Sequence, residues 1–181
     1  MVSNMWEADV TRPSWDEVNM EIAKQVARRS TCNHVVKYGG VGAVLVERDS
    51  HRVLGVGYCG SLPGQPHCLD VGCLTIGDDP GCHRTIHAEM NALLFARESA
   101  APKTLYTTLS PCLKCLQHAI IKGVRRVVFA TKYRIHEPQE RLCQAATVEW
   151  VQYGGGAAPV PHGSDCGCSK CMIAMVGSLE D

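Results

Sequence analysis

This sequence of 181 residues has no basic excess and no long apolar run, and it has few aromatic side chains. The 18 lysines and arginines equal the 18 aspartates and glutamates in number, so the formal net charge is zero. Proteins that hold a long polyanion usually carry a basic excess. RNA-binding proteins also present aromatic side chains on which bases stack, and aromatic residues make up only 6% of this chain. Nucleic acid is therefore not expected as a partner.

Signals for a membrane or for export are also lacking. No apolar run approaches the roughly 20 residues that a membrane-spanning helix needs. The segment from Met1 to Pro13 carries acidic residues and has no apolar centre, so it is not expected to act as a signal peptide. We therefore expect a cytoplasmic protein that makes no use of a membrane.

Cysteine is the residue that the chain has in excess, with eleven copies. Disulfides are rare in a reducing cytoplasm, so metal ligation explains these residues better. Most of them lie in clusters, whereas scattered cysteines would indicate small buried side chains. The eleven are Cys32, Cys59, Cys68, Cys73, Cys82, Cys112, Cys115, Cys143, Cys166, Cys168 and Cys171.

Hydrophobic periodicity predicts an alternation of strands and helices. Ser14 and Glu17 form a capping box ahead of apolar residues at helical spacing. Two runs rich in β-branched residues, separated by a polar turn, predict a hairpin. Helices are predicted over residues 14–29, 86–99, 112–122 and 137–145, and strands over residues 41–47, 52–58, 104–109, 125–130 and 147–153. This order indicates an α/β fold with three layers, α/β/α, around a five-stranded mixed sheet.

The sequence divides into a domain at residues 1–153 and an extension at residues 154–181. The extension opens as a Gly/Pro-rich linker and continues as a cysteine-rich tail. Its cysteines Cys166, Cys168 and Cys171 are interpreted as part of a packed or disordered addition, with a metal site as the alternative. Inside the domain, residues 59–84 form a long irregular stretch, and a loop of that length is usually functional or held by a ligand.

Two short motifs carry the chemistry. His87-Ala88-Glu89 and Pro111-Cys112-Leu113-Lys114-Cys115 each stand at the start of a predicted helix. Each motif alone is weak, because His-x-Glu arises by chance and Cys-x-x-Cys also serves redox pairs. Together, in this order, they match the zinc deaminase signature H-x-E…P-C-x-x-C.

These residue types suit a catalytic zinc ion. One imidazole, from His87, and two thiolates, from Cys112 and Cys115, supply three ligands and leave the fourth position to water. Helix N-termini stabilise the thiolates. Glu89, two residues after His87, is predicted to take a proton from the water and to deliver protons to the ring nitrogen and the departing ammonia. The alternative is a closed structural zinc site, with Cys82 or His83 as a fourth ligand.

At this point the sequence resembles the cytidine and deoxycytidylate deaminase superfamily, and most of all the deoxycytidylate (dCMP) deaminases of bacteria and phages. The zinc motif is specific to the superfamily, and the GY-x-G…PG-x-PHC segment narrows the resemblance to dCMP deaminases. The matching stretches are residues 31–32, 41–46 (VGAVLV), 57–68 (GYCGSLPGQPHC), 71–73 (VGC), 82–96 (CHRTIHAEMNALLFA) and 105–115 (LYTTLSPCLKC).

The resemblance implies a cytidine-deaminase-like fold and a zinc enzyme that converts dCMP to dUMP for thymidylate synthesis. It also implies a homo-hexamer that dCTP activates and dTTP inhibits. Tyr133 matches a residue that contacts the substrate in relatives. Four further residues lie where nucleotide binding is expected, namely Tyr58, Gly60, Ser61 and Asn91.

Two departures from the family pattern bear on these expectations. Members usually carry Asn after Gly-Tyr, and here Cys59 stands there, so an amide that bonds a sugar or effector is lost. The link at residues 33–40 is longer than usual, so the contact to the substrate phosphate does not carry over. The candidates for that contact are His34, Lys37, Arg84, Lys132 and Arg134.

The resemblance also implies a second, structural zinc ion, which relatives of the phage and bacterial type often carry. Cys32 and Cys68 match positions that hold it, and Cys73 and Cys82 would complete a four-thiolate tetrahedron. His67 or His83 are alternative ligands. Free thiols in a loop held by ordinary packing are the other interpretation.

Two rival functions stay open from the sequence. One is a deaminase with another substrate, such as dCTP, cytidine or a tRNA adenosine. The other is a zinc-binding module without activity, against which Glu89 argues because a purely structural site does not require it.

Overall fold

The described part of the chain alternates between helices and strands. The structure, a computed structural model, describes residues 12–33, 39–77, 81–133 and 137–154. Its helices are α1 (Trp15–Ala27), α2 (Cys68–Val71), α3 (Ala88–Leu94), α4 (Leu113–Ile121) and α5 (Glu137–Ala145). Its strands are β1 (Gly42–Glu47), β2 (Val53–Tyr58), β3 (Gly60–Ser61), β4 (Thr85–Ile86), β5 (Lys103–Leu109), β6 (Val124–Thr131) and β7 (Glu149–Gln152).

Five of these strands form one mixed sheet in the order β2-β1-β5-β6-β7. β1 runs antiparallel to β2 and to β5, so the predicted hairpin is confirmed. β5, β6 and β7 are parallel to one another. Parallel neighbours need a crossover, and α4 and α5 provide the two crossovers here. The five-stranded mixed sheet is therefore the one that the sequence predicts.

Helix α1 covers one face of the sheet. The Ser14 hydroxyl accepts a hydrogen bond from the Glu17 N–H at 3.2 Å, which confirms the predicted cap. Met20 is fully buried against the side chains that β1, β5 and β6 direct to this face. The start of the helix is held by Asp16, whose two carboxylate oxygens accept hydrogen bonds from the two terminal guanidinium nitrogens of Arg126 at 2.6 and 2.7 Å.

Helices α3, α4 and α5 cover the opposite face. Alternate residues of β1 point to opposite sides, so Ala43 and Leu45 join this second core while their neighbours contact α1. Ala92 and Leu116 bring α3 and α4 into the same cluster. Both faces of β1 are buried, which explains why this strand is a nearly continuous apolar run. The predicted three-layer α/β/α arrangement is confirmed.

The stretch between β2 and α3 has more regular structure than the sequence indicates. β3 pairs with β4, with Gly60 opposite Ile86, and α2 forms a single turn between them. β4 ends immediately before His87, so this small ribbon returns the chain to the start of α3. A two-residue strand is too short to give a periodic signal, so the sequence predicts only an irregular loop.

Helix α3 is shorter than predicted. The periodicity predicts a helix over residues 86–99, but α3 spans only Ala88–Leu94. The Arg97 N–H donates to the Leu54 carbonyl at 2.9 Å, so the chain after the helix pairs with β2 instead of adding a turn. Leu94 and Phe95 are 63% and 74% exposed, so the apolar stripe that suggests a longer helix is not fully buried.

Candidate metal centre and active site

The three predicted zinc ligands meet where α3 and α4 begin. His87 is the N-cap residue of α3 and Cys112 is the N-cap residue of α4. The Nδ1 atom of His87 lies 3.4 Å from Cys115 Sγ and 3.6 Å from Cys112 Sγ. The three ligand atoms all lie within 4.8 Å of one another. The fold therefore brings His87 to two cysteines that lie 25 and 28 positions later in the sequence.

The spacing of these atoms fits a tetrahedral zinc ion. With Zn–N near 2.0 Å and Zn–S near 2.3 Å, a tetrahedral angle places the nitrogen and sulfur ligands about 3.5 Å apart. The two distances from His87 Nδ1, 3.4 and 3.6 Å, agree with that edge. Three ligands of this chemistry, with water in the fourth position, are typical of a catalytic zinc site.

The electrostatics of the cluster favour ligation. Hydrogen bonding between the two thiols, followed by the contact with His87, lowers the pKa of Cys112 to about 4. The same thiol pair, together with burial, raises the pKa of Cys115. The shared hydrogen bond therefore favours a thiolate at Cys112 and a thiol at Cys115. The Cys112 contact also raises the pKa of His87 to about 9, although burial opposes this.

Glu89 lies beside this cluster and is almost completely buried, with 4% of its surface exposed. Burial raises the pKa of its carboxyl, and the positive charge on His87 offsets part of that effect. A carboxyl whose environment disfavours its charge holds a proton more readily than one in water. Glu89 thus has the position and the environment of a group that accepts and returns protons, which is the role that the sequence predicts for it.

The start of α3 is held against the end of β2. At Gly57 a Cβ atom would stand 2.2 Å from the Ala88 carbonyl oxygen and 2.4 Å from the Ala92 nitrogen, so only glycine allows this approach. The Asn91 side chain donates to the Tyr58 carbonyl at 2.8 Å. Asn91, predicted to lie at the nucleotide site, therefore has its amide N–H engaged in joining α3 to β2. The sequence contains no signal for this contact, which depends on packing.

The other residues predicted to bind the nucleotide lie on β2, on β3 and after β6. Tyr58 ends β2, and Gly60 and Ser61 form β3. The Ser61 hydroxyl is buried and has no hydrogen-bond partner among the described residues. Tyr133 is 38% exposed, and its N–H donates to Ser110 Oγ at 2.7 Å. Ser110 thus positions Tyr133. The sequence does not single out Ser110, although this residue stands directly before Pro111 of the cysteine motif.

A second cluster of thiols lies in the segment between β3 and β4. Cys68, Cys73 and Cys82 have sulfur atoms within 4.8 Å of one another, and the Cys68 and Cys82 sulfurs are 3.5 Å apart. Two tetrahedral thiolate ligands of zinc stand about 3.8 Å apart, so these three residues fit a metal ion. Burial raises the pKa of Cys82, but hydrogen bonds from the backbone of Arg84 and Leu74 and from the thiols of Cys68 and Cys73 together lower it.

Cys32, predicted to complete this second cluster, is placed differently. It is fully buried but does not join the group of three sulfur atoms within 4.8 Å. Its side chain instead forms a hydrogen bond with Cys59, and that contact, with burial, raises the pKa of Cys59. Neither His67 nor His83 belongs to the group of three. Among the described residues the cluster therefore has three ligands in place.

Sequence comparison identifies the family to which this geometry belongs. Residues 13–131 match the family model described as the cytidine and deoxycytidylate deaminase zinc-binding region. The chain belongs to this family. ComE operon protein 2 of Bacillus subtilis is 40% identical over 146 residues, which cover 78% of this chain and 73% of the relative. The deoxycytidylate deaminase of Schizosaccharomyces pombe is 37% identical over 150 residues, covering 78% of this chain but only 45% of that longer protein.

Solved structures of the deaminase family share the fold. The dCMP deaminase from the cyanophage S-TIM5, in complex with dCMP and dUMP, superposes with a TM-score of 0.62 at 27% identity. The match covers 78% of this chain and 98% of the cyanophage chain. The cytidine-deaminase-like fold expected from the resemblance is thereby confirmed, and the matched family region contains His87, Glu89, Cys112 and Cys115.

Several residues that were candidates for the phosphate contact or for a metal site in this deaminase-family chain have other contacts, are exposed or lie outside the described residues. Arg84, a candidate for the phosphate contact, donates from Nε to the Gly72 carbonyl at 3.2 Å and so supports the thiol-rich segment. Lys132 is exposed just after β6. Outside the described residues lie His34, Lys37, Arg134 and the tail cysteines Cys166, Cys168 and Cys171. In the described ranges, no helix is long and apolar enough to cross a membrane.

Proposed function

We propose that this protein is a zinc-dependent enzyme that hydrolyses dCMP to dUMP and ammonia. The observation that carries the proposal is the meeting of His87, Cys112 and Cys115 at two helix starts, with the buried Glu89 beside them. Family membership supports deamination. The cyanophage neighbour, which is a dCMP deaminase with dCMP and dUMP bound, supports the choice of substrate.

The protein's own residues supply the proton transfers. A zinc ion held by His87, Cys112 and Cys115 provides the Lewis acidity that makes water a nucleophile near neutral pH. The Glu89 carboxylate accepts a proton from the water that attacks C4 of cytosine and delivers it to the ring nitrogen N3. The same carboxylate then takes the remaining proton from the hydroxyl group on C4 and passes it to the departing amino group, so that ammonia leaves and the ring carries a carbonyl.

The ring of the nucleotide is held by groups at the opening of the site. The unpartnered hydroxyl of Ser61 is available to a ligand, and Tyr58, Gly60 and Tyr133 line the same opening in this proposal. The Asn91 amide N–H is already engaged with the Tyr58 carbonyl, so we assign this side chain to the support of the opening.

The wider roles are proposed from the family resemblance. They are a cytoplasmic supply of dUMP for thymidylate synthesis, a homo-hexameric assembly, activation by dCTP and inhibition by dTTP. Cys59 stands where family members carry an Asn, and its thiol is hydrogen-bonded to Cys32. We therefore expect effector responses to be weaker than in members that have the amide.

Ammonia release from a panel of substrates tests the proposed reaction. The panel comprises dCMP, dCTP, cytidine and adenosine, with zinc-loaded protein. The expected result is rapid turnover of dCMP and little or none of the others. Preference for another substrate would replace dCMP in the proposal, and zinc-loaded protein that releases no ammonia from any of the four would leave a non-catalytic zinc module as the function.

We further propose a structural zinc ion at Cys68, Cys73 and Cys82. Support comes from the 3.5 Å approach of two of the sulfur atoms and from the backbone N–H groups that lower the pKa of Cys82. Cys32 would supply the fourth thiolate by turning away from Cys59. Elemental analysis should find two zinc ions per chain, falling to one in Cys82→Ser, whereas a single ion in the unaltered protein would contradict this site.

A further inference from the structure

A buried glutamine joins helix α5 to the turn that carries the first cysteine of the metal centre. Gln139 lies in the first turn of α5, and only 5% of its surface is exposed. Its Nε2 group donates a hydrogen bond to the Pro111 carbonyl at 3.4 Å. Pro111 stands directly before Cys112. Helix α5 supplies none of the three candidate zinc ligands, yet it contacts the chain one residue before one of them.

This contact fixes the peptide unit that leads into Cys112. The carbonyl group of Pro111 and the nitrogen and Cα atoms of Cys112 lie in one rigid plane. The Leu116 N–H donates to the Cys112 carbonyl at 3.0 Å, so the hydrogen bonds of α4 begin there and leave the Pro111 carbonyl outside the helix. Pro111 is buried, and a buried carbonyl needs a partner. The bond from Gln139 satisfies that carbonyl and orients the plane that carries Cys112.

The residue before Pro111 is held as well, from another element. The Ser110 N–H donates to the Thr131 carbonyl at 2.9 Å, and the Ser110 hydroxyl accepts a hydrogen bond from the Tyr133 N–H at 2.7 Å. These bonds join Ser110 to the end of β6 and to the residues that follow it. Two successive residues of the turn are therefore fixed, one by β6 and one by α5, immediately before the metal ligand.

The other end of the Gln139 amide shows that stability alone does not account for this residue. Its Oε1 atom is buried and has no hydrogen-bond partner among the residues that the structure describes. A buried acceptor without a partner costs free energy, and an apolar side chain of the same size would avoid that cost. The need for a donor at the Pro111 carbonyl does account for an amide at this position.

We propose that Gln139 is a positioning residue of the metal centre, which acts through the Pro111 carbonyl to hold Cys112 in place for the zinc ion. This inference rests on the zinc site of the proposed function and adds a residue that belongs to neither sequence motif. Groups that orient zinc ligands without touching the ion typically contribute tenfold to a hundredfold to metal affinity. Loss of the bond should weaken zinc binding by about that factor while all three ligands remain.

The test measures the zinc dissociation constant of Gln139→Met, which keeps the size of the side chain but removes the amide. All variants carry Cys82→Ser, so that the ion counted is the one held by His87, Cys112 and Cys115. Zinc-loaded protein is dialysed against buffers of graded free zinc, and the zinc retained per chain is found by elemental analysis. The dissociation constant should rise about tenfold to a hundredfold. Gln139→Asn keeps an amide but is one methylene group too short to reach Pro111, so it should show the same loss, and it decides the test if the Met variant does not fold.

Cys143→Ala is the matched control. Cys143 lies one turn later in α5 and is buried in the core cluster that this helix covers. Its truncation should lower the urea midpoint of unfolding and leave the zinc dissociation constant unchanged, because it does not touch Pro111. If Cys143→Ala weakens zinc binding as much as Gln139→Met does, or if both Gln139 variants bind zinc as tightly as the protein with Gln139, then Gln139 does not position the metal centre. If the unaltered protein binds no zinc, the proposed function itself is refuted.

Discussion

Replacing Gly57 with alanine tests how strongly the active site depends on the close approach of α3 to β2. An added Cβ would stand 2.2 Å from the Ala88 carbonyl oxygen and 2.4 Å from the Ala92 nitrogen. Both are helix backbone atoms, so no flexible side chain can move aside. Carbon and oxygen atoms in normal contact are more than 3 Å apart, so the start of α3 must shift by roughly 1 Å.

That shift has two consequences of different size. Overpacking of this kind costs about 1–3 kcal/mol in the free energy of unfolding. Displacement of catalytic groups by roughly 1 Å costs about 10²-fold in rate. His87 and Glu89 belong to the turn that moves, so Gly57→Ala should lose kcat far beyond its loss of stability. Urea unfolding gives the first quantity, and kcat on dCMP for folded, zinc-loaded protein gives the second.

Gly42→Ala provides a matched control on the opposite face of the sheet. Its Cβ would stand 2.1 Å from the Ala23 carbonyl oxygen, so the clash with α1 is just as severe. Because α1 carries none of the metal ligands, this variant should be destabilised to a similar extent and keep a kcat near that of the wild type. Equal losses of kcat in the two variants, or an unchanged kcat in Gly57→Ala, would refute the reasoning.

Three further predictions follow from the contacts described above. Glu89→Gln keeps the volume of the buried side chain but removes the proton acceptor, so zinc content should persist while kcat falls about 10²- to 10⁴-fold in an ammonia-release assay. Asp16→Asn should cost about 1.5–3 kcal/mol at pH 7, measured by urea unfolding, because it breaks the paired hydrogen bonds from Arg126. Arg126 lowers the pKa of Asp16 from 3.8, so the pair stabilises the fold above that pH and stops doing so as the pH falls through the lower pKa of the folded state. A stability difference between Asp16→Asn and wild type that grows in acid would contradict this prediction. Asn91→Ala should reduce turnover with zinc content unchanged, since it removes the 2.8 Å bond that joins α3 to the end of β2; an unaltered kcat and KM would show that the bond does not position the site.

Local chemistry made much of this molecule predictable. The cap at Ser14 and the runs of β-branched residues in the hairpin strands depend on neighbours within a few positions, so element types and most boundaries can be inferred from the sequence. The candidate metal ligands are also recognisable, because zinc demands particular donor types and helix starts present them at a fixed spacing. His87 and Cys112 are N-cap residues as the motif requires.

Other features were decided only by packing between distant segments. The early end of α3 follows from a hydrogen bond between Arg97 and Leu54, and the engagement of Asn91 with Tyr58 follows from the same helix resting on β2. The hydrogen bond between Cys32 and Cys59 likewise depends on how the chain around Cys32 packs beside the end of β2.

A cavity of about 250 Å³, lined by Lys24 of α1 and by Lys132 just after β6, has no local signature in the sequence. Its two lysines are 108 positions apart in the sequence, and only the docking of α1 on the sheet places them around one opening. A sequence pattern shows which residues lie close together along the chain, and for that reason it predicts the candidate metal ligands. Which distant side chains share a cavity is decided by how the layers close, so it can be read only from the tertiary structure.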